Sequence, residues 1–321
     1  VIVTDANGCS ATSLPTTVTV NPLPSVTIST DGPTTFCTGE DVILTSSAGS
    51  SYLWSTGATT RSITVSSSGS YSVVLTDAKG CSATSAPTVV TVNPLPDIPV
   101  IAPDGPVNFC EGEDVVLTSS PASGYLWNTG VTTRSITVSS TGSYSVTITD
   151  ANGCSSTSVV TDVFVNSLPA VTITPDGPTT FCEGDNVVLT STPGVEYLWN
   201  NSETTQSITV TASGTFSVTL TDVNGCSATS LPITITVHPR PEATITAEGP
   251  TAFCQGESVV LTSSAASAYL WSNGTTSRSV TIPASGSYTV TVTDGNGCTD
   301  TSDPVNITVN PLPTVPTITP A

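Results

Sequence analysis

Nine cysteines, at positions 9, 37, 81, 110, 154, 182, 226, 254 and 298, are the residues of this chain best placed to do chemistry. Regularly spaced thiols can hold zinc or form disulfides. Zinc sites commonly add imidazole ligands, and the chain has a single histidine, His238. Disulfides are the chemistry that fits. They persist in oxidising surroundings, which places the segment outside the cell, at the cell surface or secreted.

The cysteines fall into two classes, "FC" (37, 110, 182, 254) and "GC" (9, 81, 154, 226, 298), each recurring every 72 or 73 residues. Two pairings fit. Within a repeat, Cys37–Cys81, Cys110–Cys154, Cys182–Cys226 and Cys254–Cys298 are each separated by 44 and leave Cys9 unpaired. Across each linker, Cys9–Cys37, Cys81–Cys110, Cys154–Cys182 and Cys226–Cys254 are separated by 28 or 29 and leave Cys298 unpaired. A disulfide needs Cα atoms within about 7 Å, so both partners must lie at the same end of a domain. Trp54 and Ile63 read as mid-strand core residues only nine positions apart, a reach of about 30 Å. Two reversals between them would consume about 50 Å of strand. One reversal leaves four strands between Cys37 and Cys81, which favours the bond within the repeat. Closing a 44-residue loop contributes on the order of 4 kcal/mol in the chain-entropy model. Cys9 then has its partner upstream of Val1, and the segment is expected to continue beyond both ends.

Other residues could bind. "TDANGCSATS" (4–13) returns from Thr76, Thr149, Thr221 and Thr293 with small changes. Its Asp-x-Asn resembles the start of a calcium loop, with Asp31, Asp77, Asp104 and Asp150 as candidate ligands. The later acids of such a loop are missing and Lys79 stands in one copy. The favoured reading is a hairpin turn, with Asp at its first position and Gly where φ is positive, and no metal is expected. Tyr52/Trp54, Tyr125/Trp127, Tyr197/Trp199 and Tyr269/Trp271 share a strand face two by two. They are either core or an exposed ladder able to stack on sugar rings, and core is favoured. Glu40, Glu113, Asp185 and Glu257 read as solvated turn acids. Arg61, Arg134 and Arg278 recur at a strand start, where Gln206 stands in the third repeat. Sequons at Asn200, Asn273 and Asn306 suggest exposed loops open to glycosylation. No nucleophile–base–acid set recurs, so neither catalysis nor a cofactor is expected.

The elements that carry these residues read as strands. Charged residues make up 9% of the chain, and Ser, Thr, Val, Gly and Pro dominate, a composition of strands and turns. Runs such as "DVILTSS" (41–47), "RSITV" (61–65) and "SYSVVLT" (70–76) alternate with period two between turn residues. Six or seven such runs in 72 residues make a small β-sandwich. Complete repeats span 25–96, 97–169, 170–241 and 242–313. Residues 1–24 read as the end of a preceding repeat and 314–321 as the first strand of a following one. "NPLP" and its variants mark short stiff joints. "DGP" at 31–33 reads as a turn that sends the first strand back, and the whole as an elongated rod. A net charge of −19 argues against nucleic acid and anionic membrane surfaces. No apolar run approaches the ~20 residues that span a bilayer.

The joined pattern "FCxGE/D…VxLTSS…YLW…TTxSITV…SGSYSVTxTDANGC…VTVNPLP" resembles the immunoglobulin-like and PKD-like repeats of very large surface or secreted proteins of Bacteroidetes. The likeness covers essentially the whole chain. It implies an all-β tandem array of Ig-like sandwiches in a surface adhesin or filament, exported by the type IX secretion system. Two departures stand out: Val73 occupies the place of the usual immunoglobulin cysteine, and the "WDFGDG" signature of PKD domains is missing. The expected role is a stalk whose partners are neighbouring repeats. The alternatives are a multivalent array binding surface glycans, or a filament subunit meeting other copies.

Overall fold

The computed structural model describes residues 1–315, and its described secondary structure is strand throughout. The chain forms two compact units, Val1–Val165 and Asn166–Ala321. The expected strand at 314–321 lies essentially outside the described residues.

In the first unit one sandwich begins with a sheet of three antiparallel strands, Ile28–Thr30, Val42–Ser46 and Ser62–Val65. A second layer joins Ser51–Trp54, Val73–Thr76 and Ser82–Thr84. Its other part joins Gly69–Tyr71, Thr88–Asn93 and Thr35–Cys37. Alternation builds the core. Val42, Leu44, Val65, Val73 and Val90 turn inward around Trp54, while Ile43 and Leu53 face out. The next sandwich of this unit has the same strands around Trp127. Those of the second unit are built around Trp199 and Trp271.

Two local features differ from expectation, and both bear on the cysteines. First, "DGP" does not turn the strand back. The Asp31 carboxylate accepts the Ile43 N–H at 2.8 Å, the chain crosses to the other layer, and Thr35–Cys37 pairs in parallel with Thr88–Asn93. Cys37 therefore sits opposite Asn93, at the end where the chain leaves the sandwich. Second, Ser55–Arg61 reverses twice. The N–H groups of Trp54 and Gly57 close a turn onto Ala58 O and Trp54 O. Ala58–Arg61 then return, so that Ser62–Val65 runs in the same sense as Ser51–Trp54. The return is short because these strands hold only four residues each, about 13 Å.

Cys37 and Cys81 consequently lie at opposite ends of one sandwich. Cys81 precedes Ser82–Thr84, at the start of the path that finishes at Asn93. The pairings expected within repeats are not formed: Cys37 is bonded to Cys154 and Cys182 to Cys298, each with Cα atoms 5.6 Å apart. These bonds also overturn Cys110–Cys154, Cys182–Cys226 and Cys254–Cys298. The cross-linker scheme fails as well, because Cys9, Cys81 and Cys254 are free thiols. Cys110 and Cys226 are disulfide-bonded.

At the N-terminal end, Ile2–Thr4 and Ser10–Thr12 form the hairpin expected there. Residues 16–20 are exposed and lie outside the described strands. Their equivalents in the next repeat lie in Thr88–Asn93, which pairs with Gly69–Tyr71 and Thr35–Cys37.

Candidate functional site: a disulfide joint between successive repeats

The Cys37–Cys154 and Cys182–Cys298 bonds each join an FC cysteine of one sandwich to the GC cysteine of the next sandwich in the same unit. The GC side is a rigid hairpin. Asp150 Oδ1 accepts the N–H groups of Asn152 (2.9 Å) and Cys154 (2.8 Å), and Asp150 N–H donates to Cys154 O. Gly153 has φ of 87°, which a side chain would oppose. The same pair of amides is held by Asp5, Asp77, Asp222 and Asp294. Asp294 lies below the ordinary carboxylate range. Desolvation pushes it upward, and the hydrogen bonds from the Cys298 and Asn296 amides, the Asn296 side chain and the field of His238 outweigh that.

The FC side is equally fixed. Cys37 N–H donates to Glu40 Oε2 at 3.0 Å, and Glu40 N–H closes a turn onto Cys37 O. Thr38 N–H and Oγ1 both donate to Asn93 O. Glu113 and Glu257 hold the amides of Cys110 and Cys254 in the same way. The acids of the "GE" turn thus shape the edge that presents the sulfur, a role beyond that of solvated turn acids. Asp185 of "GD" instead forms an ion pair with Arg240, 3.7 Å apart, with both side chains well exposed. Such a pair is worth about 0–1 kcal/mol.

Linker residues complete the joint. In the first unit Ser156 Oγ donates to Pro96 O at 2.6 Å. In the second, Arg240 reaches Glu183 O through Nε and Thr299 O through Nη1, and Ala243 N–H donates to Asp300 Oδ2 at 3.0 Å. Arg240 therefore touches both sandwiches. Sequence reasoning missed it, although an arginine in "HPRP" where Leu95 and Leu312 stand was a signal.

The remaining candidates are structural. Trp54, Trp127, Trp199 and Trp271 are at most 2% exposed, so no tryptophan ladder faces solvent. Each indole N–H donates to a backbone carbonyl six residues on, that of Thr60, Thr133, Thr205 or Ser277. The partner tyrosines spend their hydroxyls on the loop before their own strand: Tyr52 both accepts from Gly49 N and donates to Gly49 O. Tyr125, Tyr197 and Tyr269 do the same at Ala122, Gly194 and Ala266. Arg61, Arg134 and Arg278 donate Nε–H to the carbonyls of Ser46, Ser119 and Ser263. Gln206 does the same for Ser191 through Nε2, so the donor survives the substitution.

Asp31 and Asp104 accept strand amides, and Asp77 and Asp150 accept hairpin amides. Among the described residues no group of three His, Cys, Asp or Glu side chains could hold a metal ion. Asn200 and Asn273 are exposed in turns, whereas Asn306 lies exposed within the strand Val305–Asn310 rather than in a loop.

No protein-family model matches the chain, and no curated protein matches it. Among solved structures, it is similar to an ICAM-5 D1–D4 ectodomain fragment at 13% identity, covering 89% of this chain and all of that one, with a TM-score of 0.37. It is also similar to the N-terminal four Ig domains of Dscam1 isoform 4.4, at 12% identity, with coverage of 89% and 100% and a TM-score of 0.19. For three N-terminal domains of the outer capsid protein Hoc of bacteriophage RB49 the values are 17% identity, coverage of 67% and 100%, and a TM-score of 0.26. The assignment to tandem Ig-like sandwiches rests on this chain's own strand order: two layers, with a first strand that crosses to run parallel to the last.

Proposed function

We propose that this chain is a load-bearing segment of an extracellular repeat protein, one that separates and displays other parts of that protein. The observation that supports this is the placement of the disulfides at the joints. A bond within a domain protects that domain. A bond from the exit end of one sandwich to the entry hairpin of the next gives the joint a second covalent connection beside the proline-rich linker. Tension arriving at Cys37 can pass directly to Cys154, relieving the stretch between them, a sequence separation of 117. The adhesive end, the Bacteroidetes source and type IX export belong to this proposal through the motif resemblance. Sugar stacking by the Tyr/Trp pairs is not part of it, because the indoles are in the core.

The test is mechanical. A protease site replaces Pro94–Pro96, the chain is held by its two ends under tension, and the site is cut. The tether is expected to hold in oxidising buffer and to part when reductant is added. Parting on cleavage alone would defeat the proposal.

A further inference from the structure

Five residues of this chain carry the charge that a lysine- or arginine-directed protease recognises: Arg61, Lys79, Arg134, Arg240 and Arg278. Such an enzyme takes the basic side chain into a pocket, places the carbonyl of that residue in an oxyanion hole and expels the next residue as an amine. At the four arginines the chain withholds at least one of these. We infer that the folded chain offers this class of protease a single bond, Lys79–Gly80, and that the joint disulfide holds the two pieces together once it is cut.

Three arginines are withheld twice over. Arg61 donates its Nε–H to Ser46 O at 3.2 Å, and its own carbonyl accepts the Ser46 N–H at 3.0 Å. Side chain and carbonyl are thus both engaged by the neighbouring strand Val42–Ser46. Arg134 makes the same two bonds with Ser119, and Arg278 with Ser263, all within 3.0–3.2 Å. In the third repeat the position is Gln206, which has no charge to recognise. Arg240 is followed by Pro241, whose ring replaces the N–H and fixes φ on the leaving side of the bond. Its guanidinium is also engaged by Glu183 O and Thr299 O.

Lys79 stands differently. It lies exposed at the tip of the hairpin between Val73–Thr76 and Ser82–Thr84, where the other hairpins carry Asn7, Asn152, Asn224 and Asn296. Asp77 Oδ1 accepts its amide at 2.8 Å, which fixes the turn through the backbone. The ammonium has no ion pair among the described residues. Exposed tips of small and polar residues are where nicking concentrates. Gly80 has φ of 82°, so the turn must open to enter an extended cleft, and the folded chain is cut more slowly there than the unfolded one.

Hydrolysis adds one water across the Lys79–Gly80 amide. The C–N bond breaks, Lys79 takes a carboxylate and Gly80 an amino group. The pieces 1–79 and 80–321 stay bonded, because Cys37 lies in the first and Cys154 in the second. This last step rests on the joint described above, whereas the choice of bond does not.

The oxidised, folded chain would be digested with trypsin, and the products weighed with and without reductant. Without reductant the expected mass is that of the chain plus one water, and with reductant those of 1–79 and 80–321. Lys79→Asn, which installs the residue of the other hairpins, should lose the cut entirely. The reduced, urea-unfolded chain should be cut after Arg61, Arg134 and Arg278 as well. Cutting of the folded chain after any arginine as fast as after Lys79, or no cutting at Lys79, would overturn the single bond. Pieces that part without reductant would overturn the covalent link, and the joint with it, whichever bond was cut.

Discussion

Pulling the chain by its ends turns the disulfide connectivity into a length. With Cys37–Cys154 and Cys182–Cys298 closed, the stretches between those partners leave the covalent path, and about 90 of the 321 residues remain to be drawn out. At ~3.4 Å per extended residue, the unfolded oxidised chain reaches about 300 Å, and the reduced chain about 1,090 Å. Four bonds within repeats would instead leave about 490 Å at the same rise per residue. Force spectroscopy on the terminally tethered monomer, first oxidised and then in reductant, separates the three values. A limit near 490 Å before reduction, or no change on reduction, would refute the joint. The same connectivity has a thermodynamic side. Closing a loop of 117 residues contributes about 5 kcal/mol in the chain-entropy model, a gain only slightly above that of a 44-residue loop. The position of the bond, rather than its loop length, is what distinguishes the two schemes.

Two further outcomes can be stated. Ser202 holds φ of 72°, where Gly57, Gly130 and Gly274 stand in the other repeats, so Ser202→Gly should stabilise its sandwich by about 0.5–1 kcal/mol, read by urea unfolding. Asp294 should show a carboxyl titration midpoint below the ordinary value by NMR, moving to that value when the chain is unfolded. Because the folded value is the lower one, this carboxylate stabilises the hairpin above its unfolded pKa, and the contribution is lost as pH falls through the folded one.

Much of the fold was legible because its signals are local. Val42 and Leu44 alternate with exposed Ile43, and Asp-x-Asn-Gly can close a hairpin without help from elsewhere. Trp54 read as core for the same reason, lying two residues from Tyr52 on an inward face. Asn306 was misplaced because the sequon says nothing of pairing, and Val305–Asn310 is a strand through its neighbours. Arg240 stood in plain view, but its use depends on two sandwiches meeting at one linker.

The sequence by itself determined the 72-residue period, the strands, the turns and the two classes of cysteine, since each is written within a few residues of itself. It could not determine which cysteines meet. That depended on Asp31–Pro33 carrying an edge strand across to the far layer, and on Ser55–Arg61 reversing twice within a short span. One reversal more or less moves a cysteine from one end of the sandwich to the other, a distance no disulfide can bridge. The tertiary structure decided that parity, and with it that the bonds hold repeats to one another instead of closing each upon itself.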